Sequence, residues 1–213
     1  MCTKMLSCML GIAALLAMAC SESPPQTDPT TSTRELLATT VDFTFEQTAS
    51  AVAMTIKQVS GGGAVHRKAI PIPAGTLSLR ADASGALVLE KLEVEMDDIE
   101  IDAVDLPPAG LHLTDLRATL VADDVAEASW SADGTAAVAA VTATLTFEWS
   151  LVSDGRVIPL APQRIVGIDL VVEVGPAADG GVSVTLRGSR DGSFLRPLAF
   201  DLSDLSIELN AQK

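Results

Sequence analysis

The 213-residue sequence predicts an all-β protein whose antiparallel sheet curls into a β-sandwich or a partly closed barrel. Apolar and polar residues alternate through most of the chain after residue 35, as they do in strands that bury one face and expose the other. Asp-Gly pairs, which favour the positive φ of tight hairpins, occur at 133–134, 154–155, 179–180 and 191–192. No segment carries a convincing helical stripe.

Each alternating run predicts a strand. In chain order the runs cover residues 41–46, 76–80, 92–101, 141–150, 168–174, 182–186, 198–202 and 205–209. Residues 116–128 have Leu116, Leu120 and Val121 at helical spacing, but they alternate afterwards into Trp130, so we predict a strand there too. The run 135–152 is far longer than an average strand of about five to six residues, and long strands twist and coil. We therefore expect the sheet to close on itself or on a second sheet.

The buried face changes phase near Asp97-Asp98. Apolar residues occupy even positions up to Met96 and odd positions from Ile99 onwards. Because a slip of one residue turns every side chain to the other face, a continuous strand would need a bulge or a tight bend there. We predict such a break within about two residues of Asp97-Asp98, with Met96 and Ile99 both facing inward.

An apolar run opens the chain. Leu6 to Ala19 are all apolar or small, and the only charge before them is Lys4. The run is shorter than the roughly 20 residues that cross a bilayer, but it suits the core of a signal peptide.

The residues that follow the run resemble the signal of bacterial lipoproteins. That class carries a leucine or similar residue, two small residues and an obligatory cysteine, and Ala17-Met18-Ala19-Cys20 matches it with alanine in place of leucine and a bulkier Met18. The resemblance implies that residues 1–19 are removed and that Cys20 becomes the lipidated first residue, carrying a diacylglycerol and an N-acyl chain. A plain secretory signal cleaved near Cys20 is the alternative.

The cysteine count agrees with either signal. The other two cysteines, Cys2 and Cys8, lie within the predicted signal peptide, so no disulfide is expected in the mature chain. Residues 20–35 contain prolines, threonines and serines but no large apolar side chain, which predicts a disordered tether. Residues 36–213 are then expected to form a single antiparallel β domain. Ser21 stands where some bacteria read an aspartate as an inner-membrane retention signal, which favours the outer membrane.

Charge and composition exclude several classes. Loss of Lys4 leaves 13 basic and 28 acidic side chains, so the mature chain carries a net charge of about −15. Nucleic-acid binding needs a basic surface, and the one local basic cluster is 66–68 beside a glycine-rich turn. The sequence has no tyrosine, two tryptophans and five phenylalanines, too few for the aromatic girdles of a membrane barrel. We expect Trp130 and Trp149 to lie in the core.

Few residues suggest chemistry. The densest acidic stretch, 92–102, places Glu93, Glu95 and Asp98 opposite its apolar residues, as either a calcium site or a solvated face. The solvated face is favoured, because carboxylates two residues apart on a strand lie about 7 Å apart and cannot by themselves converge on one ion. His66 and His112 belong to no metal-ligand spacing. We therefore predict no catalytic residue, no metal and no cofactor.

Two kinds of function remain for a lipid-anchored β domain of the bacterial envelope. Its curled sheet could bind an apolar molecule such as a lipid, at residues that the pattern does not identify. Alternatively the domain is a structural or protein-interaction module with a fully packed core and an envelope protein as its partner. Alternation cannot separate these hypotheses, because a side chain that faces a cavity and one that faces a core have the same pattern. An enzyme is the third hypothesis.

Overall fold

Strands dominate the computed structural model, which describes residues 32–45, 49–59, 65–103, 105, 110–195 and 200–213. These residues form one short helix, α1 (Thr33–Leu36), and thirteen strands. The strands are β1 (Val41–Phe45), β2 (Ala51–Gln58), β3 (Val65–Pro71), β4 (Ala74–Ala81), β5 (Leu87–Glu95), β6 (Ile99–Ile101), β7 (Leu111–Ala122), β8 (Ala128–Trp130), β9 (Ala137–Ser153), β10 (Arg156–Pro159), β11 (Gln163–Pro176), β12 (Val182–Leu195) and β13 (Phe200–Gln212). The all-β fold predicted from the alternation is confirmed.

All strand pairs are antiparallel, and the sheet branches where one long strand meets two short ones. The main path runs β1-β4-β5-β7-β9-β11-β12-β13-β2-β3. One edge of β13 pairs with β2 over residues 200–208 and with β1 through Thr44–Gln212 and Phe45–Ala211. In the same way β7 pairs with β6 near its start and with β5 further along. The two β1–β13 residue pairs close the sheet on itself, while β2 and β3 branch off from β13. The sheet is therefore not a regular barrel.

The two ends of the sheet carry different connections. At the end that we call the helix pole, the Arg34 amide donates to the Gly134 carbonyl (3.0 Å) and the Ala81 amide to the Leu37 carbonyl (2.6 Å). The chain also ends there, because Lys213 pairs with Val182. At the opposite end, which we call the loop pole, β2, β6, β9 and β12 end and their antiparallel neighbours β3, β7, β10 and β13 begin.

The inward side chains form one continuous core. Residues from most strands contribute to it, and the largest fully buried ones include Phe43, Met54, Leu77, Ile99 and Phe147. Burying such a side chain contributes about 1.5–3 kcal/mol each. Because the inward positions follow the predicted alternation, the core accounts for the spacing of apolar residues in the sequence.

The predicted break at Asp97-Asp98 is confirmed. Strand β5 ends at Glu95 and β6 begins at Ile99, while Met96 and Ile99 are 5% and 0% exposed. The Asp97 amide donates to the Pro71 carbonyl at the end of β3, at 3.0 Å. This bend keeps both apolar residues inside although their positions differ in parity.

Three of the four Asp-Gly pairs form the expected turns, and the fourth does not. Asp154 (φ 50°) and Gly155 (φ 71°) join β9 to β10, and turns at 133–134 and 179–180 join their flanking strands. Asp191-Gly192 lies inside β12, so the hairpin predicted there is wrong. Gly192 has a φ of 82° and donates its amide to Asp204 Oδ1 (3.1 Å) at a bulge opposite β13. A bulge uses the same positive φ as a turn, so the dipeptide alone does not distinguish them.

The predicted tether is wrong for its last four residues, 32–35. Ser32 caps α1 through a reciprocal capping box: its hydroxyl accepts the Glu35 amide, and the Glu35 carboxylate accepts the Ser32 amide. The predicted signal peptide, Cys20 and the rest of the tether lie outside the described residues. Of the two tryptophans, Trp149 is buried in the core as predicted, whereas Trp130 is only half-buried.

Candidate functional site

An apolar cleft of about 380 Å³ lies at the helix pole, between the start of the described chain and its end. Four of its eight lining residues are aliphatic; the full set is Leu36, Leu37, Thr39, Thr40, Val41, Gly181, Val182 and Lys213. The volume falls within the range of about 300–1,000 Å³ that is typical of small-molecule sites. We take this cleft as the candidate functional site.

Helix α1 forms one side of the cleft, and its position is fixed at both ends. At its start the Arg34 guanidinium lies 5.8 Å from the centre of the Trp130 ring, and Trp130 Nε1 donates to the Gly85 carbonyl (2.6 Å). At its end Leu37 is fully buried, while Leu36 remains 44% exposed. Contacts at both ends therefore fix the position of α1 beside the cleft, and Leu36 remains exposed to solvent there.

Polar groups at the cleft are few. Thr40 Oγ1 is engaged, because it donates to Glu90 Oε2 (2.9 Å) on β5. The Lys213 backbone is also engaged, through both of its hydrogen bonds with Val182. Lys213 carries the one charged side chain of the lining, so the cleft suits an apolar molecule that has few polar groups.

Two further clefts lie on the outer face of the sheet and are lined by charged side chains. One, of about 630 Å³, crosses β4, β5, β7 and β9 and includes Glu93, Glu95, Arg117 and Glu148. The other, of about 520 Å³, crosses β11, β12, β13 and β2 and includes Arg187. Both are stretches of the solvated outer face whose linings include charged side chains.

The acidic stretch 92–102 lies partly in the first of these clefts, with cations beside it. Lys91 Nζ is 3.0 Å from Glu93 Oε2, and Arg117 Nη2 is 3.4 Å from Glu95 Oε1. Asp98 Oδ2 lies 3.8 Å from His112 Nε2. Within the described residues no group of three or more histidine, cysteine or acidic side chains could hold a metal ion. The surrounding cations favour the solvated face over the calcium site.

The two histidines have different partners. His66 Nε2 hydrogen-bonds the Asp105 carbonyl (2.7 Å), and His112 contacts Asp98. Neither distance joins a histidine to a serine or threonine hydroxyl, the arrangement that activates a nucleophile.

Where the structure shifts a carboxyl pKa, it shifts it downward. The Ser131 and Thr135 hydroxyls lower the pKa of Asp133 to about 2 through hydrogen bonds to its carboxylate. Hydrogen bonds from Arg80 and then Thr40 lower the pKa of Glu90, and the Gly192 amide lowers that of Asp204. A general acid or base works best with a pKa near the operating pH, so these carboxyls are moved away from that role.

One buried polar atom is unpaired. Trp149 Nε1 is the single buried side-chain nitrogen or oxygen without a hydrogen-bond partner within the described part of the chain. Its ring stacks on Phe147, with the centroids 6.0 Å apart. Sequence reasoning placed Trp149 in the core but could not show whether its N–H finds a partner.

Sequence reasoning also missed the cleft. Its residues come from three parts of the chain, 36–41, 181–182 and 213, and Leu36 was predicted only as the first residue of the domain. The described residues contain no helix long and apolar enough to cross a membrane. Neither a protein-family model nor a curated protein matches this chain.

Proposed function

We propose that the protein is a lipid-anchored lipoprotein of the bacterial envelope, whose non-catalytic β domain binds an apolar molecule in the cleft beside α1. The observation that carries the binding proposal is the cleft itself, about 380 Å³ in volume and lined by four aliphatic side chains and only one charged one. An apolar molecule that enters it removes its own surface and that of Leu36 from water, which contributes about 25 cal/mol for each Å² buried.

The anchoring proposal rests on Ala17-Met18-Ala19-Cys20 and on the charge of the mature chain. A diacylglycerol with an N-acyl chain holds a protein stably, because each buried methylene contributes about 0.8 kcal/mol and two or more chains act together. The turns at the helix pole carry acidic residues such as Asp82, Asp124 and Asp133. These are repelled by anionic headgroups, which suits a domain held off an outer-membrane surface by its tether.

Anchoring is tested by Cys20→Ala. The variant should move from the membrane fraction to the soluble periplasm. Mass spectrometry of the wild-type protein should show the mass of the acyl chains on Cys20. A mature N-terminus without acyl mass would contradict the lipoprotein proposal and would favour a plain secretory signal.

Ligand binding is tested on the soluble Cys20→Ala protein, so that the anchor lipid does not contribute. N-phenyl-1-naphthylamine is a suitable probe because it is apolar and uncharged, and the negative chain would repel an anionic dye. Leu36→Gln places an amide at the cleft and should weaken dye binding at least fivefold. Val121→Gln is the matched control, because Val121 is also exposed but lies on β7 outside the cleft. Equal binding by both variants would contradict the assignment of the cleft.

The second candidate function is a protein-interaction module with a packed interior. It is favoured by the continuous core, in which inward positions from β1 to β13 are buried against one another. If no dye binds and organic extraction of the purified protein yields no apolar compound, this second function replaces ligand binding.

A further inference from the structure

Strands β11 and β12 separate halfway along their length, towards the loop pole. Their ladder ends at the pair Asp169–Ser189. Beyond that pair β11 extends back to Gln163 and β12 extends on to Leu195, about six residues each. In this stretch β11 pairs only with β9, and β12 only with β13, among the residues that the structure describes. We call the gap between the two edges the seam.

Two bulges explain why the strands separate. The register of β11 shifts between Ile165 and Ile168, where Gly167 has a φ of 68°. The register of β12 shifts between Arg190 and Ser193, where Gly192 has a φ of 82°. A bulge bends its strand and increases the local twist. Because both bulges lie directly beyond the last ladder pair, they turn the two edges apart at the same level.

One side chain crosses the seam. The Arg190 guanidinium donates a hydrogen bond to the carbonyl oxygen of Val166. Val166 itself is 57% exposed, so this residue lies at the surface. Unpaired strand edges offer rows of N–H and C=O groups that can pair with another chain. Across the seam the Arg190 side chain therefore takes the Val166 carbonyl oxygen, which would otherwise accept a hydrogen bond from a neighbouring strand.

Prolines and arginines near the seam limit where an added strand could pair and which side chains it could carry. Pro159 and Pro162 lack an amide N–H, which weakens pairing before Gln163 and confines the open edge to about 163–168. Arg164 on β11 is exposed and makes no ion pair within the described residues, although the chain as a whole has a net charge of −14. Arg164 and Arg190 flank the seam from its two edges, against Asp191, the one acidic side chain of these two edges, so the seam has a basic excess. Carboxylates on an incoming strand would complement this basic excess.

We propose that the seam accepts an extended, carboxylate-bearing peptide segment of a partner protein, which adds a strand beside β11 or β12. Main-chain hydrogen bonds provide affinity in such strand addition, and alternate side chains provide specificity. A second copy of this chain is disfavoured, because two copies that meet edge to edge bring arginine to arginine and carry like net charges. The seam lies towards the pole opposite α1, so the proposal is independent of the cleft and of the anchor.

The test uses the purified full chain and fluorescent peptides of eight residues. The probe alternates valine and glutamate; one control alternates valine and lysine, and another is the valine–glutamate peptide with its backbone amides methylated on one edge. We expect the valine–glutamate peptide to bind at least tenfold more tightly than either control. Net charge alone predicts the opposite order, because a chain of −14 attracts the lysine peptide.

Two variants locate the binding. Arg164→Glu should weaken binding of the valine–glutamate peptide at least tenfold, whereas the same change at Arg117, an exposed arginine on β7, should leave it unchanged. Hydrogen exchange should show new protection at 163–168 or 190–193 when the peptide is added. Absence of binding, equal binding of the valine–glutamate and lysine peptides, or protection confined to other strands would overturn the proposal. The bulges and prolines would then serve to block edge-to-edge association.

Discussion

Two glycines in strands should respond to the same substitution with opposite signs. A methyl group placed on Gly75 in β4 would lie 2.5 Å from Phe45 Cδ2 and 2.7 Å from the Glu93 carbonyl oxygen. A methyl group placed on Gly175 in β11 would meet no atom within 4 Å. Neither glycine has a positive φ, so alanine fits the backbone conformation at both positions. Gly75→Ala tests the packing of the core, and Gly175→Ala is its matched control.

The expected magnitudes follow from the contacts. Rotation of the Phe45 ring could relieve one clash at Gly75, but the Glu93 oxygen belongs to the backbone of the neighbouring strand and must move with it. Overpacking of this kind costs about 1–3 kcal/mol, and only part is offset by the lower entropy of the unfolded alanine chain. At Gly175 the entropy term acts alone and should stabilise the protein by about 0.4–1 kcal/mol. The two variants should differ by about 2 kcal/mol in the free energy of unfolding.

Urea denaturation followed by tryptophan fluorescence measures this difference. With a slope of about 2–3 kcal/mol per molar urea, Gly75→Ala should lower the midpoint by about 0.5 M or more, and Gly175→Ala should raise it slightly. Equal slopes are needed for the midpoints to report stability. If the two variants shift the midpoint in the same direction, or if Gly75→Ala has the midpoint of the unmodified protein, Phe45 does not fill the space beside Gly75.

Two further substitutions test polar groups. Because the folded pKa of Asp133 is about 2, below its ordinary value of 3.8, its ionised form stabilises the turn above pH 4, and this stabilisation is lost as the pH falls through 2. Asp133→Asn should therefore lower the melting temperature at pH 7, with a difference that disappears near pH 2; a constant difference would contradict the cause given. Trp149→Phe loses packing contacts in the core, which destabilises the protein. It also removes a buried N–H that has no hydrogen-bond partner, which stabilises the protein by about 1–3 kcal/mol. Because the two effects oppose each other, the free energy of unfolding should change by less than about 1 kcal/mol. A loss above about 2 kcal/mol would show that the N–H has a partner.

The sequence was sufficient to predict the buried face of the strands that lie in the alternating runs, but β2, β3 and β10 lie outside those runs and were not predicted. Period-two alternation predicted that Phe43, Leu77 and Phe147 face inward, and all three are buried. The change of parity between Met96 and Ile99 was sufficient to predict the bend, because only a break in the strand keeps both inside. These predictions succeed because the buried face of a strand follows from the alternation of apolar and polar residues along that strand, without knowledge of its partners.

Strand partners are a non-local property and were not predictable in the same way. Alternation along β13 shows which of its side chains are buried, but it is the same whether β1, β2 or both lie alongside. The apolar cleft shares this difficulty, since Leu36 and Val182 meet only after the path has closed. The capping box of Ser32 and Glu35 was missed, because the prolines, threonines and serines of residues 20–35 led us to predict a tether over the whole segment.

The seam lies between these two cases. Ile165 and Ile168 differ in parity, as Met96 and Ile99 do, so the bulge in β11 has the same signal in the sequence that predicted the bend after β5. A bulge in one strand does not open a sheet, because the neighbouring strand can bend with it and keep its ladder. The opening requires a second bulge, at Gly192, at the same level on the facing strand. Neither glycine reveals in the sequence that the other lies across from it, so the seam follows from the registers of β11 and β12 and from no pattern within either strand.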